Sequence, residues 1–286
     1  VSWVIVLTAP AARGLSGAEI AIAAGAAGAP RRLGAAAAEI PCAEPPDLAA
    51  LRARLEGVDV NAVPARGRRK RILIADMDST MIPVECIDEV ADFAGVKPQV
   101  SAITERAMAG ELDFEGSLRA RVALMAGLPE GQLAHVYAER VRLNPGARVL
   151  VRTMAEHGAH TALISGGFTY FAERVAAAAG FAEHRANRLL FADGRLTGKV
   201  AEPILGRAAK LEALVALAAR LGVTAAEVIA VGDGANDLDM IEAAGLGVAF
   251  HAKPALAARA GAVIRHADLT ALLHLQGHAE DEFVRD

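Results

Sequence analysis

Only two cysteines, Cys42 and Cys86, occur in 286 residues, and they stand far apart in a chain long enough to need no covalent staple. That usage fits a reducing compartment, and a cytoplasmic address is expected. A dominant charge is missing too: 30 basic against 34 acidic residues leave a formal net charge of −4, which argues against a nucleic-acid-backbone binder or a basic membrane surface. Long hydrophobic runs are absent. "VSWVIVLTAP" at the start is short and has no basic leader, and the alanine-rich stretch 20–29 is broken by Gly25 and Gly28 and followed by Arg31 and Arg32. Neither a signal peptide nor a membrane span is expected. One basic run exists, "PARGRRKR" at 64–71, but no aromatic residue interleaves it, so a solvated hinge is expected rather than a nucleic-acid patch.

What is present is ample core material, 53% hydrophobic, in a chain longer than the roughly 150 residues of a typical domain. Two domains, or one with a large insertion, are expected. Residues 1–66 read as a small α+β unit: strands at 3–8, 36–41 and 58–63, helices near 16–25 and 47–56, and no chemical constellation. Beyond the basic run the pattern changes. "ILIA" (72–75), "TALIS" (161–165) and "VIAVG" (228–232) are short, continuously apolar runs, the signature of strands buried on both faces. Helical stretches such as "RAAKLEALVALAARLG" (207–222) lie between them, so an α/β fold with a doubly wound parallel sheet is expected. Such sheets bind ligands at the carboxyl ends of their strands. Residues 84–145 interrupt this rhythm with charged, mostly helical sequence and read as a helical cap inserted into a core of 67–83 and 146–286.

Chemistry-bearing residues collect where those strands end. After "ILIA" come Asp76 and Asp78, hard oxygen ligands two residues apart that suit Mg²⁺, although an isolated Asp-x-Asp also occurs in nucleotide-sugar transferases and ordinary turns. After "TALIS" come Gly166 and Gly167, expected to open a helix and to cradle an anion with backbone amides beside the Ser165 hydroxyl. Lys210 lies near the start of a helix, where the dipole disfavours it. After "VIAVG" come Asp233, Gly234, Asn236, Asp237 and Asp239, acids that fit a metal better than a pyrophosphate.

Together, in this order, "DMDST", the "SGG" serine, Lys210 and "GDGAND" resemble the haloacid dehalogenase superfamily and, within it, the phosphoserine phosphatase branch, over about residues 72–250. The resemblance implies a Rossmann-like core with a cap, and an aspartyl-phosphate route. It assigns Asp76 as nucleophile, Asp78 as acid and base, and Ser165, Gly166, Gly167, Lys210 and Asn236 as phosphate holders. It gives Mg²⁺ to Asp76, the Asp78 carbonyl and Asp233, and supporting roles to Thr80 and Asp237. In the cap it implies that Glu85 meets a substrate ammonium and Arg121 a carboxylate, with Met108 and Phe114 closing over the site. The expected substrate is therefore small-molecule phosphoserine. A phosphotransferase passing the same group to an alcohol such as homoserine is the enzymatic alternative, and a small-molecule sensor the non-catalytic one. Relatives often carry an ACT-like ferredoxin-type unit at the N-terminus; a packing or homodimerisation unit is the other reading of residues 1–66. The three histidines His266, His274 and His278 are expected at the surface, and the tail beyond about 266 is expected to begin with a helix capped by Asp268 and to fray into an acidic end.

Overall fold

"ILIA" forms β5 (Ile72–Ala75), every residue of it buried, as two-sided packing requires. In the computed structural model, which describes residues 2–25, 28–108 and 111–285 and omits the side chain of Met108, β5 lies inside a six-stranded sheet. Its companions are β6 (His160–Phe168), β7 (Glu183–Asn187), β10 (Val228–Gly232), β11 (Leu246–Phe250) and β12 (Ala262–Ile264). The order is β12-β11-β10-β5-β6-β7, and every pair is parallel. Chain order reverses between β5 and β10, so the two strands that end in aspartates are neighbours at the topological switch point.

Helices cover both faces. On one side α9 (Arg207–Leu221) and α10 (Leu238–Ala243) supply Ala213, Leu214, Leu217 and Ile241 against Ile72, Ile74, Val228 and Ala230, with α11 (Pro254–Ala257) adding Leu256. The other face meets α7 (Ala147–Glu156), α8 (Thr169–Ala179) and α12 (Ala271–Leu275) through Leu150, Phe171, Val175 and Leu272. Between β5 and α7 stand α3 (Cys86–Phe93), α4 (Lys97–Met108), α5 (Phe114–Leu124) and α6 (Gly131–Arg140), the helical insertion. A hairpin of β8 (Leu189–Ala192) and β9 (Arg195–Val200) joins them: Gly127 and Glu130 donate backbone hydrogen bonds to Leu196 and Gly194, and Leu196 donates to Leu128. The helical insertion is thus joined by a hairpin from a second chain segment.

The N-terminal unit comprises β1 (Trp3–Thr8), α1 (Gly17–Ala24), β2 (Arg31–Arg32), β3 (Ala37–Cys42), α2 (Leu48–Arg54) and β4 (Asp59–Pro64). Its antiparallel order β2-β3-β1-β4 is the ferredoxin-like arrangement. Alternation along β1 explains its position. Ile5 and Leu7 pack with Ile20, Leu51 and Leu55 beneath the two helices, whereas Val4 and Val6, with Val63, join the core around α12. Two polar residues of β4 complete the join. Asp59 accepts backbone hydrogen bonds from Arg265, His266 and Ala267 at 2.8–3.1 Å, and Asn61 exchanges two with Val263 at 2.8 and 3.0 Å.

The basic run is largely exposed, as a solvated hinge would be, but it is tied down rather than free. Arg68 is largely buried, ion-paired to Glu39 at 2.7 Å and donating to the carbonyls of His274 and Leu275, while Lys70 reaches Ala226 and Gln276, and Arg69 reaches Glu282. The one largely buried charge of the run, Arg68, is placed where carbonyls and a carboxylate answer it, while Arg69 and Arg71 stay exposed. The tail begins with the expected helix, α12, ahead of which Asp268 accepts from the Thr270 amide at 2.8 Å, but its acidic end does not fray. The Glu280 amide donates to Leu33 at 2.7 Å and the Val284 amide to Thr153 at 2.9 Å. His274 and His278 are buried and only His266 is exposed as expected.

Candidate active site

At the end of β5 the Asp76 amide still bonds to Val231 of β10 at 3.0 Å, and Met81 and Ile82 then turn back onto the Met77 carbonyl. Ser79 sits within this turn at φ 54°, an uncommon conformation for a residue with a side chain. Its hydroxyl donates to Glu85 at 2.6 Å, so the strained turn aims a carboxylate on the cap entrance. Asn144, which the sequence reading did not single out, anchors the same turn through the Thr80 carbonyl at 2.8 Å.

Asp76, Asp237 and Lys210 form the centre. The Lys210 ammonium lies 2.7 Å from Asp76 Oδ1 and 2.6 Å from Asp237 Oδ1 with its side chain only 1% exposed, so the lysine is a core residue rather than surface charge. Burial alone would strip its proton, but Asp237 and Asp76 more than offset that and hold its pKa above the usual value. Asp237 is fully committed: its second oxygen accepts from the Asp233 and Gly234 amides at 3.2 and 3.1 Å. Asp76 is pushed well up by burial and then by Asp237, and Lys210 opposes both. Asp233 rises to about 6 for the same reasons, burial first, then Asp237 and Glu85.

Donor oxygens of Asp76, Asp233 and Asp237 come within 4.8 Å of one another. Both Asp237 oxygens are engaged, which leaves Asp76 and Asp233 as the two carboxylates best placed for a cation; burial first and Asp237 next raise both of them. Hard oxygen donors of this kind suit Mg²⁺. Thr80 Oγ1 stands 3.5 Å from Asp233 Oδ1, and Asp239 is drawn outward into a bidentate pair with Arg207.

Asp78 is buried and raised to about 7, chiefly by desolvation and then by Glu85, against the amide of Cys86, which donates to it at 3.1 Å. Next to it lies Gly167. A Cβ there would fall 2.5 Å from Asp78 Oδ2 and 3.1 Å from Ser165 Oγ, so only glycine lets the second strand end approach the first. The helix start expected at Gly166 and Gly167 is corrected: β6 continues through both glycines to Phe168, and α8 begins at Thr169. Extended backbone, not a helix terminus, presents the Gly166 amide beside the buried Ser165. Asn187, another residue the sequence reading missed, holds this edge by donating to the Gly166 and Leu205 carbonyls and accepting from the Leu205 amide. Asn236 is half-buried in the single helical turn Ala235–Asp237 beside Gly234.

From the cap, Phe114 rests on two glycines. A Cβ on Gly166 or on Gly206 would come within 3.1 Å of its ring. Arg121 is partly buried on the same helix, its pKa lowered by desolvation and raised in part by Asp88 and Glu85, so the guanidinium and the Glu85 carboxylate share one electrostatic neighbourhood. Met108 ends α4, and its side chain lies outside the described residues. A cavity of about 720 Å³ has Phe114, Leu205 and Gly206 on its wall and none of the central aspartates. Asp76, Asp78, Ser165 and Lys210 are all buried, and Asp233 is half-buried.

Comparisons with known proteins agree with this geometry. The sequence model of the haloacid dehalogenase-like hydrolases matches residues 73–242. A phosphoserine phosphatase of Streptomyces coelicolor is 45% identical over 228 residues, 79% of this chain and 55% of that protein. One from Haemophilus influenzae is 48% identical over 204 residues, 71% of this chain and 65% of that protein. The chain therefore spans between half and two thirds of the length of these two relatives. Among solved structures, a probable phosphoserine phosphatase from Vibrio cholerae superposes with a TM-score of 0.81 at 33% identity, over 98% of this chain and 88% of that one.

Proposed function

Because this chain belongs to the haloacid dehalogenase-like hydrolase family, we propose that it hydrolyses O-phospho-L-serine to L-serine and phosphate through an aspartyl-phosphate, the closing step of L-serine biosynthesis. The observation that carries this reading is the buried pair of strand-end aspartates in unlike settings: Asp76 against Lys210, and Asp78 with its pKa near neutrality. One carboxylate is built to attack and the other to exchange a proton.

In the first step an Asp76 oxygen bonds to phosphorus as the bond to the serine oxygen breaks, and Asp78 gives that oxygen its proton. In the second, Asp78, now a carboxylate, takes a proton from the water that attacks phosphorus, and Asp76 leaves. Lys210, the Ser165 hydroxyl and the Gly166 amide hold the phosphoryl oxygens through both steps. Mg²⁺ would be held by Asp76, Asp233 and the Asp78 carbonyl, and when bound it offsets repulsion between nucleophile and phosphate dianion. Asp76, Asp78, Ser165 and Lys210 are all buried, so substrate entry requires the cap to lift Phe114 from its glycine seat.

Substrate choice belongs to the cap. Glu85, fixed by Ser79, faces an ammonium and Arg121 a carboxylate. Arg121→Ala should raise KM for phosphoserine roughly ten- to a hundredfold, the worth of a charge-assisted hydrogen bond. Phosphoethanolamine, which lacks the carboxylate, should be turned over equally well by variant and wild type. Equal losses on both substrates would remove Arg121 from carboxylate recognition.

The pH dependence follows from Asp78. The first step needs it protonated, so kcat for phosphoserine is expected to fall as pH rises through about 7, the value burial imposes. A cation beside Asp76 draws that limb lower. An aryl phosphate, whose leaving group needs no proton, should show a weaker fall in stopped assays across pH 5–9; parallel profiles for the two substrates would exclude Asp78 as the acid.

The deciding assay is phosphate release with Mg²⁺ from phosphoserine beside phosphothreonine, phosphoethanolamine and an aryl phosphate, with and without chelator. Preference for phosphoserine, lost on chelation, supports the proposal. Turnover of the aryl phosphate alone refutes the substrate, and release only after homoserine is added would make the protein a phosphotransferase.

A further inference from the structure

Far along the chain from the aspartates, His278 is buried yet its Nδ1 has no hydrogen-bond partner. Among the described residues three buried side-chain polar atoms are left in this state, and His278 Nδ1 alone belongs to a cluster of potential metal ligands. A buried, unanswered nitrogen is costly, so its surroundings are informative.

Those surroundings are His157 and Glu282. The three residues each offer one donor atom, all within 4.8 Å of one another. The imidazole rings of His157 and His278 are 4.6 Å apart between centroids. Glu282 Oε1 stands 3.5 Å from His278 Nδ1. That separation is long for a hydrogen bond, which runs about 2.7–3.2 Å. It matches two ligands sharing one ion, since bonds of about 2.0–2.1 Å at tetrahedral angles place donor atoms roughly 3.4 Å apart. The donors are also positioned from outside: His274 Nδ1 donates to the His278 carbonyl at 3.0 Å, and the Ala279 amide donates to Glu282 Oε2 at 2.9 Å.

We propose that His157, His278 and Glu282 bind a divalent first-row transition metal of the Zn²⁺ type, with an open fourth position, and that the ion fastens the C-terminal tail to the core. His157 closes α7, and the other two ligands lie on the tail segment that also meets Leu33 of the N-terminal unit and Arg69 of the basic run. One ion would therefore tie three parts of the chain. Two imidazoles and one carboxylate are a Zn²⁺ donor set, and unlike the all-oxygen set at Asp76 and Asp233 they are poor ligands for Mg²⁺. Arg69 is ion-paired to Glu282 Oε1, the oxygen that faces His278 Nδ1, so it is the opposing charge and an ion bound there must displace the guanidinium from that oxygen.

The full-length protein, stripped by chelator and held in excess Mg²⁺, is titrated with Zn²⁺ by calorimetry and with Co²⁺ by visible absorption. One equivalent should bind, Co²⁺ should give a tetrahedral spectrum, and Zn²⁺ should raise Tm. His157→Ala, exposed and so harmless to folding, and His278→Phe should each weaken binding by more than the roughly tenfold that loss of even an outer-shell partner costs. Arg69→Gln should tighten it, and Asp233→Asn should leave it unchanged. The proposal is overturned by absence of such an equivalent, or by one that survives His157→Ala and disappears with Asp233→Asn, which would place the ion among the aspartates.

Discussion

Asp76→Asn is expected to abolish phosphate release from every substrate while leaving the fold intact. The two side chains are nearly isosteric, and the site holds carboxylates in excess: burial and Asp237 already push Asp76 well above the ordinary range. Removing one negative charge from beside Asp237 and Asp78 therefore relieves repulsion, and the loss of its contact with Lys210 is partly compensated by the ion pair to Asp237 at 2.6 Å. Tm should stay near the wild-type value or rise. The amide oxygen cannot form the covalent intermediate, so the rate should fall by on the order of 10⁴-fold or more, the scale seen when a covalent catalyst loses its nucleophile. Acid quenching during turnover of labelled substrate should trap phosphoryl-protein with the wild type and none with the variant. A variant that still labels, or an intact wild type that never does, would sink the aspartyl-phosphate route.

Much of this site could be read before any coordinates because its residues stand at the ends of apolar runs, where periodicity and chemistry coincide. "ILIA" and "VIAVG" read as buried strands, with the acids after them at the carboxyl ends of one sheet, and the two strands are neighbours. The N-terminal strands at 3–8, 36–41 and 58–63 lie within a residue of those observed for the same reason. What escaped carries no such pattern. Arg31–Arg32 is an exposed pair that becomes a strand only by pairing with β3, and the polar "EHRAN" of β7 is an edge strand whose partner decides its structure. Asn144 and Asn187 act on backbone carbonyls that only tertiary structure brings near them. The basic run and His274 and His278 failed for a related reason. Polar residues read as surface by default; the partners of the basic run, Glu39, Ala226 and Glu282, lie far away in sequence, and the two histidines are buried by the packing of the tail on the core.

Removing the cation from the centre should do the reverse of removing the nucleophile. Lys210→Met keeps the length of the side chain but leaves Asp76 and Asp237 facing each other in a buried site with Asp78 and Asp233 nearby. Breaking a buried ion pair by deleting one partner costs about 3–5 kcal/mol, because the remaining charge is uncompensated. A large fall in Tm is expected at neutral pH. It should shrink at lower pH, where protonation of the stranded carboxylates removes the repulsion; the folded-state values of Asp76 and Asp233 already lie above their ordinary range and rise further without Lys210. Adding Asp237→Asn should restore much of the stability, since the amide oxygen can still accept from the Asp233 and Gly234 backbone while one buried charge is gone. Activity should not return, because the double variant still lacks the ammonium that answers the transferring phosphoryl group. Thermal melts of the wild type, the single and the double variant at pH 5 and 8, run beside phosphate release, separate the two roles. Rescue of both stability and turnover in the double variant would mean that Lys210 only balances charge and does not touch the reaction.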